Sequence, residues 1–244
     1  MSEHASPAGK PKEPALQALF RLIVLRDRPM VSRLVTESPS LARQAIEVGA
    51  TREAARAYYF EEIAHYAYAG DTPLHMAAAA HETGIAEELL SRGADVSARN
   101  RRGAEPLHYA TDGIPGSDAW DPEAQYATVE LLIKAGANPN SEDKSGVAPL
   151  HRAVRTRCAA AVRALLVNGA DAFGRNKSGS TPLHLAIQNT GRGGAGSAAS
   201  REEQKEIIRL LLGHGARPSD KNAAGRSVKD CVKADWIREL LGQA

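Results

Sequence analysis

Cysteine is scarce in this 244-residue chain: there are two, Cys158 and Cys231. They lie far apart, so no disulfide framework is available to hold a small, loop-rich fold. Aromatic residues are scarce too, with two Trp, six Tyr and three Phe. A single large core normally uses more, whereas a stack of thin layers can be built from Leu and Ala. An excess of one charge sign is also missing: 31 Lys and Arg stand against 29 Asp and Glu, a formal net charge of +2. Whole-chain attraction to nucleic acid or to a membrane surface is therefore not expected. No apolar run approaches the roughly 18 residues that a membrane-crossing helix needs. The stretch 1–14 is polar and Pro-rich. It has the pattern of neither a secretion signal nor an amphipathic transit helix, and a disordered lead-in is expected there. The default compartment is the cytoplasm.

What is present is a repeat. Four blocks align: Thr72-Pro-Leu-His75, Glu105-Pro-Leu-His108, Ala148-Pro-Leu-His151 and Thr181-Pro-Leu-His184. Their prolines are spaced 33, 43 and 33 residues apart. A Leu-Leu or Leu-Ile pair and then Gly-Ala follow each block, with the glycines at 93, 136, 169 and 215. From each of the first three glycines to the next block's proline is 13 residues. From proline to the following glycine is 20 residues in repeats one and three, but 30 and 33 in repeats two and four. The unit is therefore 33 residues long, with 10 or 13 residues inserted between the His and the Leu pair of alternate repeats.

A 33-residue period carrying T-P-L-H-x-A resembles the ankyrin repeat family. The resemblance covers Gly70 to about Lys233. It implies an all-α helical repeat with short hairpin fingers, an ankyrin-repeat solenoid. Each unit would contain a finger, an inner helix, a loop and an outer helix. The residues suit that fold. Thr before Pro is a helix cap followed by a proline at the first helical position, where its missing N–H costs nothing. Gly93, Gly136, Gly169 and Gly215 stand where a left-handed helix cap is needed.

The ends are atypical, as the caps of a solenoid must be. Residues 15–69 are expected to form a helical N-terminal cap: a worn unit over Leu16 to Ala42, then an extra helix over Arg52 to Tyr66. Tyr58, Tyr59, Phe60, Ile63 and Tyr66 crowd together there. Residues 70–233 hold the repeats, with insertions at about 111–123 and 190–200. Residues 234–244 are expected to be a C-terminal capping helix around Trp236, Leu240 and Leu241.

Candidate sites divide into those that the repeat explains and those that it does not. His75, His108, His151 and His184 recur at one repeat position. Successive copies would lie about 10 Å apart, too far to share a metal whose ligands sit at about 2 Å. In the family this His is structural, so no metal or cofactor is expected. Cys158 and Cys231 read as small helical residues. Gly191-Arg-Gly-Gly-Ala-Gly196 spells G-x-G-x-x-G, and Ser197 follows. A phosphate loop needs a preceding strand, and this segment follows an inner helix and lacks Lys. It reads as a flexible insertion, with Ser200-Arg-Glu-Glu203 as a capping box for the next helix. Trp120, in the other insertion, either folds back on its own outer helix near Tyr126 or presents a partner anchor. In that insertion Asp121 should cap a helix starting at Pro122. At the finger tips Arg101, Lys144 and Lys177 occupy one equivalent position, with Arg102 beside them. Arg152 and Arg155 should lie on the third inner-helix surface, with Tyr109 one repeat earlier.

The resemblance implies a non-enzymatic protein-binding module or adaptor, and no base, nucleophile and orienting group are visible together. The basic stripe and Trp120 give the candidate surface, and its complement would be an acidic segment of another protein. Two other readings stand beside it. One is a small-ligand or nucleotide site at 191–197. The other is nucleic-acid binding through the stripe, which the small net charge and the lack of interleaved aromatics disfavour. A monomer is expected, and the Ala- and Arg-rich style suggests a bacterial source.

Overall fold

Proline at the start of each inner helix and glycine at the end of each outer helix set the layers. The computed structural model describes residues 15–189 and 197–242. A first helix pair, α1 (Ala15–Val24) and α2 (Arg28–Glu37), precedes a two-stranded hairpin of β1 (Tyr59–Phe60) and β2 (His65–Tyr66). Four inner–outer pairs follow: α3 (Pro73–Ala79) with α4 (Thr83–Ser91), α5 (Pro106–Ala110) with α6 (Pro122–Lys134), α7 (Pro149–Thr156) with α8 (Ala159–Val167), and α9 (Pro182–Ala186) with α10 (Ala198–Gly213). The stack closes with α11 (Val228–Cys231) and α12 (Asp235–Gly242). Inner helices pack on inner helices in chain order, and so do the outer helices α2, α4, α6, α8 and α10. Among the described residues no helix is long and apolar enough to cross a membrane.

The recurring histidine ties each layer to the next. In every block the backbone N–H before the proline donates to the imidazole Nδ1, at 3.2 Å for Thr72–His75 and 3.1 Å for Glu105–His108. The same bond measures 3.3 Å for Ala148–His151 and 3.4 Å for Thr181–His184. Because Nδ1 accepts, the ring proton sits on Nε2. Nε2–H then donates to a carbonyl of the following repeat: Ala104, Val147 and Gly174 at 3.1 Å, and Arg226 at 3.3 Å. The neutral ring fills both roles, and burial pushes the pKa of His75, His108 and His151 below its ordinary value.

The core is a chain of thin aliphatic layers. Leu74, Leu107, Leu150 and Leu183 of the inner helices and Leu89, Leu132, Leu165 and Leu211 of the outer helices are all buried. The outer helices α4, α6, α8 and α10 each run into a glycine with φ between 83° and 104°, the left-handed cap expected at 93, 136, 169 and 215.

Two local expectations are corrected. Residues 52–66 do not form a helix. They form 3-10 turns at Arg56–Tyr58 and Glu61–Ile63 around the hairpin, in which Tyr59 pairs with Tyr66 and Phe60 with His65. The flanks of this stretch are tied together across it: Ala50 N–H donates to the Ala67 carbonyl at 2.7 Å, and Ala67 N–H to that of Tyr58 at 2.9 Å. Ile46 and Asp71 close the base of the same structure through Ile46 N–H and the Asp71 carbonyl, at 2.9 Å. The segment is thus an enlarged first finger. The cap of α10 is Ser197, whose hydroxyl accepts from Ser200 N–H at 3.1 Å, three residues before the expected position. Glu203 instead accepts the N–H of Ala159 at 2.8 Å, in the first turn of α8. Asp121 caps α6 as expected, accepting from Glu123 and Ala124 N–H. The lead-in 1–14 and the glycine-rich run Gly191–Gly196 lie outside the described residues.

Candidate functional site

The finger tips form a ladder. Arg101, Arg102, Lys144 and Lys177 are exposed. The Arg101 guanidinium donates to the Ala50 carbonyl of the enlarged finger. Lys144 Nζ donates to the Arg101 carbonyl at 2.8 Å, and Lys177 Nζ donates in turn to the Lys144 carbonyl. Each cation therefore lies on the preceding tip, which fixes its position. An ammonium that spends one N–H this way keeps two for a ligand. Arg102 donates to the Tyr68 hydroxyl at 3.0 Å, and both arginines lie over that ring, 5.3 and 4.9 Å from its centre. Tyr68 continues through Tyr66 to Tyr59, with ring centres 6.4 and 4.7 Å apart. A helix over Arg52 to Tyr66 does not predict this aromatic extension of the stripe; the hairpin brings Tyr59 and Tyr66 into line with Tyr68.

Two expected surface residues are not on the surface. Tyr109 is 1% exposed. Its hydroxyl donates to Asp71 at 2.8 Å and accepts from Asn100 at 2.9 Å. Its ring lies between His65, 4.3 Å away, and the Arg152 guanidinium, at 5.4 Å. Arg152 is not a free cation either: it grips Asp112 with two hydrogen bonds, at 2.8 and 2.7 Å. Burial alone would push the Asp112 carboxyl up, but Arg152 and His65 outweigh it and hold the pKa below its ordinary value. The covering residues explain both errors. His65 comes from the enlarged finger and Asp112 from the first insertion, each about forty residues away from the residue it covers.

Arg155 stays exposed on α7 with no ion-pair partner among the described residues. It lines a hollow of about 500 Å³ together with Trp120, Ile114, His65, His81 and Glu61. Trp120 is half-buried and does fold back on its own outer helix, though onto Gln125 rather than Tyr126: its indole N–H donates to Gln125 Oε1 at 3.0 Å. The hollow lies between the enlarged finger and the first insertion. Asp112 and Arg152 also line it, and Tyr109 lies buried beneath Arg152.

Cys158 is buried, and burial pushes its thiol pKa up to about 11, which leaves it inert as a nucleophile. Among the described residues no group of three or more His, Cys, Asp and Glu converges as a metal site would require.

Comparison with known families agrees with this geometry. A model described as ankyrin repeats, in three copies, matches residues 122–222, and a single ankyrin repeat model matches residues 69–101. The gap between them, 102–121, holds α5 and most of the first insertion. A search of curated proteins finds no match for the chain. Repeats of this kind are generally non-enzymatic protein–protein interaction modules. With matches over more than half of its length and the layered histidine pattern throughout, the chain belongs to the ankyrin repeat family.

Proposed function

We propose that the protein is an adaptor that holds an acidic segment of another protein across its fingers and inner-helix face. The observation that carries this reading is the tip ladder. Arg101, Lys144 and Lys177 are positioned one on another, exposed, with Arg102 beside them and Arg155 unpaired behind. At 0.15 M salt the screening length is about 8 Å, so a ligand lying along the row feels several of these charges at once. Trp120 and Ile114 give the adjoining hollow an apolar wall suited to one anchoring side chain. Tyr109 supports the surface from beneath, and Arg152, held by Asp112, lines the hollow without being a free cation. The reading is of a monomer acting in the cytoplasm, without cofactor or catalysis.

The test is the double reversal Lys144→Glu with Arg155→Glu. Against an identified partner it should slow association and weaken binding at least tenfold, with the larger change in the on-rate. An unchanged affinity and on-rate would make the ladder a structural device only.

A further inference from the structure

The two inserted repeats differ from their neighbours in the length of the outer helix. α6 has 13 residues and α10 has 16, whereas α8 between them has 9. Both long helices begin before the start of α8, so repeat three is recessed there. The recess is a notch of about 550 Å³ between α6 and α10, over the start of α8. Ala159 and Ala160 form its floor, Pro122 and Tyr126 one apolar wall, and Glu123, Glu203 and Glu206 its rim. Gly116 of the first insertion reaches across repeat three and lies against Ala199 at the start of α10, so the two inserted segments meet.

We infer that this notch is a second docking site, for a cationic amphipathic helix of a partner protein. Charge decides the class of occupant. The rim holds three carboxylates and one cation, Arg163, and that cation is spent on Glu206 at 2.7 Å. Glu203 has one donor, the Ala159 N–H, on a carboxylate with further acceptor positions. Glu123 is exposed on the other wall. A helix that lays one apolar side chain on Ala160 and Tyr126 would bring a Lys or Arg, one turn away, to either wall. An acidic helix would meet repulsion from both. The walls are also fixed in advance, which lowers the cost of binding. Gln125 braces the α6 side by holding Trp120 and the Ala110 and Asp112 carbonyls. Gln204 braces the α10 side on the Ala186 and Gln188 carbonyls at 2.6 and 2.8 Å. This site is independent of the finger ladder, and either can fail without the other.

The probe is a fluorescein-labelled Leu/Lys amphipathic helix about four turns long, with its Leu/Glu counterpart, followed by anisotropy at about 0.15 M salt. The Leu/Lys helix should bind the whole protein and the Leu/Glu helix should not. Ala160→Arg places a guanidinium of the chain's own in the notch and should weaken binding about tenfold or more. Glu203→Gln, which keeps the size and the acceptor for Ala159 N–H, should weaken it about threefold. The double reversal at Lys144 and Arg155 should not weaken it. Far-UV dichroism and melting curves check that each variant is folded, and Glu203→Gln carries the test if Ala160→Arg is not. Failure of the Leu/Lys helix to bind, or binding that ignores the folded notch variants, overturns the inference.

Discussion

In repeat two, Gln125 of α6 donates to the carbonyls of Ala110 and Asp112. In repeat four, Gln204 of α10 donates to those of Ala186 and Gln188. These carbonyls are 76 residues apart in the chain and mark the same place, the stem of each insertion. A second donor comes from the preceding repeat in both cases. It is His81, with φ 54°, for the first stem and Arg157, with φ 65°, for the second. His81 Nε2–H reaches the Ala110 carbonyl at 3.1 Å, and Arg157 reaches those of Ala186 and Gln188 at 3.1 and 2.6 Å. The geometry is the same and the charge is not. The first stem has a neutral donor beside an anion, Asp112, where the second has a cation beside Gln188. The ring of Tyr109, buried on Asp71, stands where repeat four has Leu185. Donor number and direction therefore define the stem, and donor charge follows the local surroundings. Arg157 has no carboxylate partner among the described residues, and burial lowers its pKa to about 10. What holds its charge is the carbonyl end of α9.

The largest effect should come from making repeat two chemically like repeat four. Tyr109→Leu removes a donor from Asp71, which is fully buried. It also empties the space between His65 and Arg152. Asp71 keeps the N–H of Tyr68 and the amide of Asn100, so the polar cost is that of one lost hydrogen bond, about 0.5–3 kcal/mol, and the lost ring adds a cavity cost. The expected loss is about 3 kcal/mol, read as a lower urea midpoint at unchanged slope. A loss under about 1 kcal/mol would mean that the polar cluster contributes little and that the two halves are energetically alike.

The next effect is a pH response to which only one of the two stems contributes. Burial lowers the pKa of His75, His81, His108 and His151 in the folded chain. Above about pH 6.5 these rings are neutral in both states and contribute no slope. Below it the unfolded chain takes up protons that the folded chain refuses. Stability should therefore fall as pH drops through this window, by up to about 1.4 kcal/mol per pH unit for each such ring. His81→Gln should remove the first stem's share of that slope. Arg157→His should give the second stem a share that it lacks, with a steeper fall in melting temperature between about pH 6.5 and 5. Identical slopes for wild type and Arg157→His would show that the second stem is open enough to hydrate a charged ring.

The layers were legible because their residues are local. Proline, histidine and the Leu pair lie within one unit, and the repeat places the next unit without further information. The enlarged finger was misread for the opposite reason. Glu53-Ala-Ala-Arg-Ala57 is good helix sequence, but the flanks on either side of it pair with each other, Ala50 with Ala67 and Ile46 with Asp71, and close the segment into a finger. Tyr109 and Arg152 occupy positions that a regular stack exposes. They are covered because two irregular segments bring His65 and Asp112 over them. The tips Arg101, Lys144 and Lys177 were found because their spacing follows the repeat, while the backbone carbonyl that each one meets leaves no mark in a sequence. The notch depends on a difference in helix length, which spacing arithmetic shows only as inserted residues.

The smallest effect concerns the end of the ladder. A side chain added at Gly103 would meet Lys144, and one at Gly146 would meet Lys177. The corresponding neighbour of Gly179 is Ala223, which has no amine to continue the series. Ala223 therefore stands at the next rung, and Ala223→Lys should let a fourth cation donate to the Lys177 carbonyl. Such a contact is exposed and lightly held, so the stability change should stay within about 0.5 kcal/mol. Its value lies in what it separates. If the ladder is only a tie between fingers, the added lysine alters neither stability nor binding beyond that margin. If the row guides an acidic segment, a fourth charge in register should speed association with an identified partner about two- to threefold at low salt, and the gain should fade as salt rises. A slower on-rate, or a gain that salt leaves untouched, would place the partner's path away from the fingers and leave the Trp120 hollow as the contact.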